Sequence, residues 1–281
     1  MQEPDAVQID SDSPFGAFTP SLANRVAWAE CAAHQAQGLP GKAKWKTLAR
    51  EHRGPLDVNA DGVKLRIYPT ENFGDRQIAM TGALPEAEEL ALVAPHLPAG
   101  GTFIDIGANI GIYAILASRA LGPRGRVLAF EPNARTGQKL AFNLAANACD
   151  NVTVHDCALG AEETTAQFFA DGGKNAGRSS MLKEAVGDPE TGVCVRVRPL
   201  SAVLAEEAIA AADLVKIDVE GYEDRVLVPY LAQVLPADLP RAILLEDAHR
   251  DLWAEDLTAR LEAAGFRKDG ATQTNKLYLR G

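Results

Sequence analysis

The stretch TFIDIGANIGIYAILAS, residues 102–118, decides the fold. TFIDI is short, apolar and β-prone, with one acid at Asp105. It runs straight into a glycine turn and then into an apolar helical stretch. A strand that feeds a helix through glycines is the opening unit of a cofactor-binding α/β sheet. Gly107 and Gly111 let a ligand approach the backbone at the start of the helix. The spacing is G-x-N-x-G, with Asn109 in the middle, and not the G-x-G-x-x-G of dinucleotide enzymes. Asparagine tolerates positive φ better than most residues, so the turn can still form.

Downstream, the same texture repeats. Apolar runs RVLAF (126–130), VTVHD (152–156), LVKID (214–218) and AILLE (242–246) alternate with helical stretches that begin near Ile110, Ala134 and Tyr222 and after Asp251. A final strand pair is expected at 265–267 and 276–279. The long segment 161–197 has room for a hairpin before a helix at 200–212. This pattern predicts a Rossmann-like α/β domain over residues 85–281, with a mostly parallel seven-stranded sheet covered by helices on both faces. Upstream, residues 1–20 lack either apolar period and are expected to form a flexible arm. Residues 21–84 form an extension that covers the core and shapes an acceptor pocket. It holds a helix capped by Ser21, a second short helix at 45–51 and a hairpin over 56–67 turning at 59–62. Pro85 starts another helix, whose Glu86, Glu88 and Glu89 suit its positive end.

Composition narrows the function classes. The 281 residues are 47% apolar and 23% charged, as in soluble globular proteins. The 28 Lys and Arg against 38 Asp and Glu leave a formal charge of −10, which repels a phosphate backbone, so nucleic acid is a poor partner. Cys31, Cys149, Cys157 and Cys194 form no C-x-x-C pair and no zinc-spaced cluster, and read as reduced cytoplasmic thiols. The acidic N-terminus does not resemble a signal peptide, and no apolar run is long enough to span a membrane. One basic stretch, GKAKWKTLAR, gathers Lys42, Lys44, Lys46 and Arg50 near Trp45. It reads as a solvated helix or as a surface for an anionic acceptor or partner.

Acids at the strand ends carry the chemistry. Asp105, two residues before Gly107, would repel a dinucleotide's pyrophosphate but suits a cationic cofactor such as S-adenosylmethionine, with its ammonium and sulfonium. Glu131, followed by Pro132, stands just after the second strand and 20 residues after Gly111, where an acid can accept both ribose hydroxyls. The alternative for Glu131 is a helix-starting acid. Asp218 and Glu220 end the fourth strand, with Gly221 opening the turn. They are candidates to orient a methyl acceptor, take its proton, hold the cofactor ammonium or bind a divalent cation. Lys216 in the same strand is a candidate structural partner for them. Glu246 and Asp247 end the fifth strand, and His249 adds a group that can take a proton near neutral pH.

Together these pieces resemble the FkbM-type methyltransferases, S-adenosylmethionine-dependent enzymes with a Rossmann-like fold known mainly for O-methylation of hydroxyls on sugars or secondary metabolites. The matching pieces span residues 86–279: IDIGANIGIY with ILAS, FEPNA, Asn143 and Asn147 of LAFNLAANACDNV, CALG, SSM, KIDVEGYE and NKLYL. By that resemblance Asp105, Gly107, Ala108, Asn109, Gly111, Glu131, Pro132 and Asp218 fall to the cofactor. Asp156, Cys157 and Ala158 lie at the adenine edge, and Asp218 and Glu220 lie near the transferred methyl. One departure is VRVRPLSAVL, where Ser201 stands in place of the acid expected after the leucine.

The expected activity is therefore O-methylation of a hydroxyl on a small molecule or glycan, with Asp218 or His249 as the base and Glu220 orienting the acceptor or aiding the cofactor. Two rivals are a cofactor-binding module without turnover and a nicotinamide-dependent oxidoreductase. The IDVEG segment, standing where a nucleic-acid methylase would carry an NPPY-like sequence, weighs further against nucleic acid.

Overall fold

The structure, a computed structural model, describes residues 8–36, 54–170, 179–186 and 192–281. In chain order its helices are α1 (Leu22–Ala36), α2 (Phe73–Thr81), α3 (Ala87–Val93), α4 (Ile112–Leu121), α5 (Ala134–Ala146), α6 (Leu200–Glu206), α7 (Glu223–Gln233) and α8 (Leu257–Ala263). Its strands are β1 (Leu56–Ala60), β2 (Val63–Ile67), β3 (Thr102–Ile106), β4 (Arg126–Phe130), β5 (Val152–His155), β6 (Ala158–Leu159), β7 (Thr164–Ala170), β8 (Ser179–Ser180), β9 (Val193–Arg198), β10 (Leu214–Ile217), β11 (Ala242–Glu246), β12 (Phe266–Ala271) and β13 (Asn275–Arg280).

The main sheet runs in the order β12-β13-β11-β10-β3-β4-β5. Strands β11, β10, β3, β4 and β5 pair in parallel, and β13 is antiparallel to both its neighbours. The chain winds outward from β3 through β4 to β5 and returns to β10 on the other side of β3. The carboxyl ends of β3 and β10 therefore flank the topological switch point, where open α/β sheets bind ligands. Side chains alternate between two cores. Phe103, Val127, Ala129, Leu214 and Leu244 face one, while Ile104, Ile106, Leu128, Val215 and Leu245 face the other. The segment 161–197, expected to hold a hairpin, carries β7, β8 and most of β9, with β7 antiparallel to both β8 and β9 in a small second sheet, β6-β9-β7-β8.

The extension shares the first of these cores. Trp28, Leu65, Ile67 and Ile78 pack in one cluster with Phe103, Ala114 and Leu140. The β1–β2 turn falls at Asp61 and Gly62, both at positive φ, as a tight hairpin requires. Ser21 Oγ accepts the Asn24 amide at 3.2 Å at the start of α1.

Part of the expected arm, residues 10–14, is held against the hairpin. Arg66 is 1% exposed and grips the chain from Asp10 to Pro14. Its Nε and Nη2 donate to the two Asp57 oxygens at 2.7 and 2.9 Å. Its remaining N–H groups reach the carbonyls of Asp10, Ser13 and Pro14 at 2.9–3.0 Å. The guanidinium also stacks on Phe18 and Phe142. A buried guanidinium must satisfy all its donors, and carbonyls of an irregular arm supply the acceptors that a strand would have committed to a ladder.

Helix α2 was not expected, although its ends carry signals. Asn72 Oδ1 accepts the Gly74 amide at 2.8 Å as N-cap, and Gly82 closes the helix at φ 69°. The expected helix at 45–51, and the basic residues Lys42, Lys44, Lys46 and Arg50 with Trp45, lie outside the described residues. Among the described residues no helix is long and apolar enough to cross a membrane.

Candidate functional site

A cavity of about 330 Å³ opens at the switch point. Its floor is the glycine turn after β3. Gly107 adopts φ 78°, and a Cβ there would fall 2.0 Å from the Asp218 carbonyl oxygen, so the β3 and β10 ends approach as only glycine allows. Asn109 follows at φ 50°, and Gly111 at φ 95° leads into α4.

Glu131, at the end of β4, forms one wall. Its side chain is 8% exposed and each oxygen is held by one backbone N–H: Asn109 donates to Oε2 at 3.0 Å and Asn133 to Oε1 at 2.9 Å. Burial pushes its pKa up to about 7, against the lowering effect of those two bonds. A carboxylate oxygen can accept two hydrogen bonds, so one lone pair on each oxygen is left for a ligand. Asn109 also lines the cavity, and its Oδ1 is buried without a hydrogen-bond partner. Such an orphaned acceptor is costly unless a ligand donor meets it.

The opposite wall is the Asp218–Gly221 loop after β10. Glu220 adopts φ 53°, a conformation that a long side chain holds only when its surroundings impose it. Glu223 imposes it. One oxygen accepts the amides of Val219 and Gly221 at 3.0 and 3.1 Å, and the other accepts the Trp253 indole at 2.8 Å. Glu220 Oε2 lies 3.0 Å from His249 Nε2. Lys216 is buried beneath this wall. Its Nζ donates to the Gly107 carbonyl at 2.8 Å and lies 3.7 Å from Asp105 and 3.6 Å from Asp218.

Of the residues singled out from sequence, Gly107, Ala108, Asn109, Glu131, Pro132, Cys157, Ala158, Asp218 and Glu220 line this cavity together. Four lie off its lining. Asp105 is fully buried below the floor, where Lys216 takes its charge and burial raises its pKa. Gly111 packs under Leu140. The Asp156 side chain is 92% exposed and points toward Arg196. His249 reaches the wall through Glu220. Lys216 partners Asp218, as one reading of the sequence had it, but Asp105 and the Gly107 carbonyl in place of Glu220. Among the described residues no acidic, His or Cys cluster has the geometry of a metal site.

Lys216 lines the cavity too, and the sequence reading missed other parts of the lining. Asn72, Phe73 and Gln77 come from α2, and Phe168, Ser179 and Met181 come from the small sheet and its following turn. Glu86 was read as a helix-favouring acid. It lines the cavity at φ 62° and hydrogen-bonds Tyr113, whose hydroxyl is pushed to higher pKa by burial and by that carboxylate. Among the described residues, three of the six non-glycine residues at positive φ, Glu86, Asn109 and Glu220, thus surround one cavity. Strain of this kind clusters at functional sites.

Residues 105–268, more than half of the chain and including every residue of the floor and both walls from Asp105 to His249, match the profile of the methyltransferase FkbM domain. The chain belongs to the FkbM methyltransferase family. It is 33% identical over 157 residues to the ribosomal protein L11 methyltransferase of Chlorobaculum parvum, covering 55% of this chain and 50% of that protein. It is 31% identical over 159 residues to methyltransferase sdnD of Sordaria araneosa, covering 47% of this chain and 61% of that protein. The chain thus spans about half the length of the first curated relatives it matches. Among solved structures it is similar to an FkbM methyltransferase from Methylobacillus flagellatus, at 19% identity and a TM-score of 0.44, over 76% of this chain and 48% of that one.

Proposed function

We propose that this FkbM-family methyltransferase binds S-adenosylmethionine in the cavity between β3, β4 and β10 and methylates a hydroxyl oxygen of a small molecule or glycan. The observation that carries this reading is Glu131, a buried carboxylate with one lone pair per oxygen tied to backbone and one free. That is the acceptor pair a ribose diol requires. The unpartnered Asn109 Oδ1 supplies a further acceptor on the floor for a cationic ligand group. When bound, S-adenosylmethionine supplies a methyl group activated on a sulfonium.

This chain's residues then have three tasks. Glu131 and Asn109 orient the cofactor. Asp218, held opposite Lys216, orients the acceptor hydroxyl on the other wall. Glu220, in place of the Asp218 or His249 that the sequence offered as base, receives the hydroxyl proton at its carboxylate, because it lines the cavity with His249 Nε2 3.0 Å behind it to share the proton. The fixed Val219–Gly221 backbone keeps this dyad in place, so positioning supplies much of the rate.

The test is transfer from methyl-labelled S-adenosylmethionine to libraries of hydroxyl, amine and carboxylate acceptors. Label on oxygen is expected. Label confined to nitrogen would overturn the O-methyl assignment, and S-adenosylhomocysteine binding with no transfer to any library would favour a binding module without turnover.

A further inference from the structure

Two asparagines one turn apart, Asn143 in the last turn of α5 and Asn147 at its C-cap, do the work of a missing strand. Along β2, the backbone groups of Lys64 and Arg66 point away from β1 and need partners outside the hairpin. Asn147 Oδ1 accepts the Lys64 N–H at 3.1 Å while its Nδ2 donates to the Lys64 carbonyl at 2.7 Å. Asn143 Oδ1 accepts the Arg66 N–H at 2.7 Å. One helical turn and two strand residues advance by comparable distances, about 5.4 and 6.7 Å, which is why two side chains four apart can meet alternate strand positions.

The two differ at their other end. Asn147 turns back to its own helix and to Arg119 on the surface. Asn143, fully buried, donates from Nδ2 to the Ile110 carbonyl at 3.0 Å. Ile110 sits in the turn between Asn109, whose amide holds Glu131, and Gly111. A single buried amide therefore links the β2 edge, and through Arg66 the N-terminal arm, to the floor of the cavity.

We propose that Asn143 is a positioning residue that couples the glycine turn to the N-terminal hairpin, so that loosening its bond to Ile110 loosens the floor of the site. Its consequence for ligand binding rests on the cofactor reading above, but the coupling itself does not.

The experiment compares amide hydrogen exchange in the unliganded full-length chain, for the parent, Asn143→Asp and Asn147→Ala. Asn143→Asp, when ionised, keeps the acceptor for the Arg66 amide and loses the donor to Ile110, while Asn147→Ala removes the Lys64 contacts together with the bonds to the Asn143 carbonyl and Arg119 and leaves the Asn143–Ile110 bond in place. An unmet buried hydrogen bond corresponds to about tenfold in an opening equilibrium. Exchange at residues 107–112 is therefore expected to rise by that factor in Asn143→Asp and to stay at the parental rate in Asn147→Ala. Equal exchange of the turn in both variants overturns the proposal. If Asn143→Asp does not fold, or holds a proton that can donate to the Ile110 carbonyl, Asn143→Ser, too short to reach Ile110, replaces it. Titration of the same proteins with S-adenosylhomocysteine then reads the consequence: weaker binding in the Asn143 variant and parental binding in Asn147→Ala. A parent protein that binds none of that ligand would remove the cofactor reading, and the exchange comparison would still decide the coupling.

Discussion

The Asn109 amide donates to Glu131 Oε2 at 3.0 Å, tying the turn after β3 to the end of β4. This bond makes the two halves of the proposed cofactor site one unit. The φ 50° conformation of Asn109 is what aims its amide at the carboxylate, and that carboxylate is buried enough to titrate near neutrality.

Cofactor affinity should therefore depend on pH. Glu131 has a pKa raised to about 7, so it carries a proton below that value and is an acceptor pair above it. A ribose diol is bound by the ionised form, so S-adenosylhomocysteine affinity is expected to rise from about pH 6 to pH 8. Calorimetry across that range should give a flat profile for Glu131→Gln. A flat profile in the parent protein would contradict the assignment.

Gly107 tests the close approach of β3 and β10. Alanine there would put Cβ 2.0 Å from the Asp218 carbonyl oxygen at φ 78°. The expected cost is about 2–4 kcal/mol in denaturant unfolding, with loss of S-adenosylhomocysteine binding. Gly137→Ala is the control: it lies inside α5 with nothing near the added methyl, and is expected to stabilise by about 0.5–1 kcal/mol. Equal effects of the two would show that the packing at Gly107 is not what requires glycine.

The Glu220–His249 dyad separates chemistry from cofactor binding. Glu131 is held by the Asn109 and Asn133 amides on the other wall, so Glu220→Gln and His249→Ala should leave S-adenosylhomocysteine affinity at the parental level. Each is expected to lower kcat by roughly 10²-fold with a hydroxyl acceptor, the scale of a lost base. A parental kcat in both variants would move the base elsewhere on the wall, with Asp218 the next candidate.

Much of this arrangement was legible in the sequence because it is local. The strand cores at 102–106, 126–130 and 242–246 were bounded correctly by their apolar runs, while the hairpin turn, expected at 59–62, falls at Asp61 and Gly62 because Asn59 and Ala60 stay paired in β1. The motif residues of the floor and walls follow the strand ends, so their convergence follows from the topology. What escaped was long-range. Asp105 pointed to the cofactor by its position at the end of the strand before the turn, yet Lys216, 111 residues away in sequence, takes its charge from below. Glu86 carried the signal of a helix-starting acid, and only the fold brings it to Tyr113 and the cavity. Helix α2 could have been found from Asn72 and Gly82, but its role in lining the site depends on how the hairpin docks on α5.

Glu246 gives an independent check on the acidic wall. Its Oε2 is buried without a partner, and burial together with Asp218, Glu223 and Glu220 raises its pKa from 4.5 to about 9. Between those values the folded protein keeps a proton that the unfolded chain releases, so stability from this group falls as pH rises through the window. Glu246→Gln removes that slope. Its unfolding free energy relative to the parent is expected to improve steadily from pH 5 to pH 9, and a difference independent of pH would mean that Glu246 is not held neutral.

The most direct test of the central claim is a calorimetric titration of the full chain with S-adenosylhomocysteine, with NAD as the comparison ligand and Glu131→Ala as the control. Saturable binding of S-adenosylhomocysteine alone, weakened at least about tenfold by Glu131→Ala, is the expected result. Folded protein, free of carried-over ligand, that fails to bind it, binds NAD in preference or binds it equally well without the Glu131 carboxylate would contradict the account.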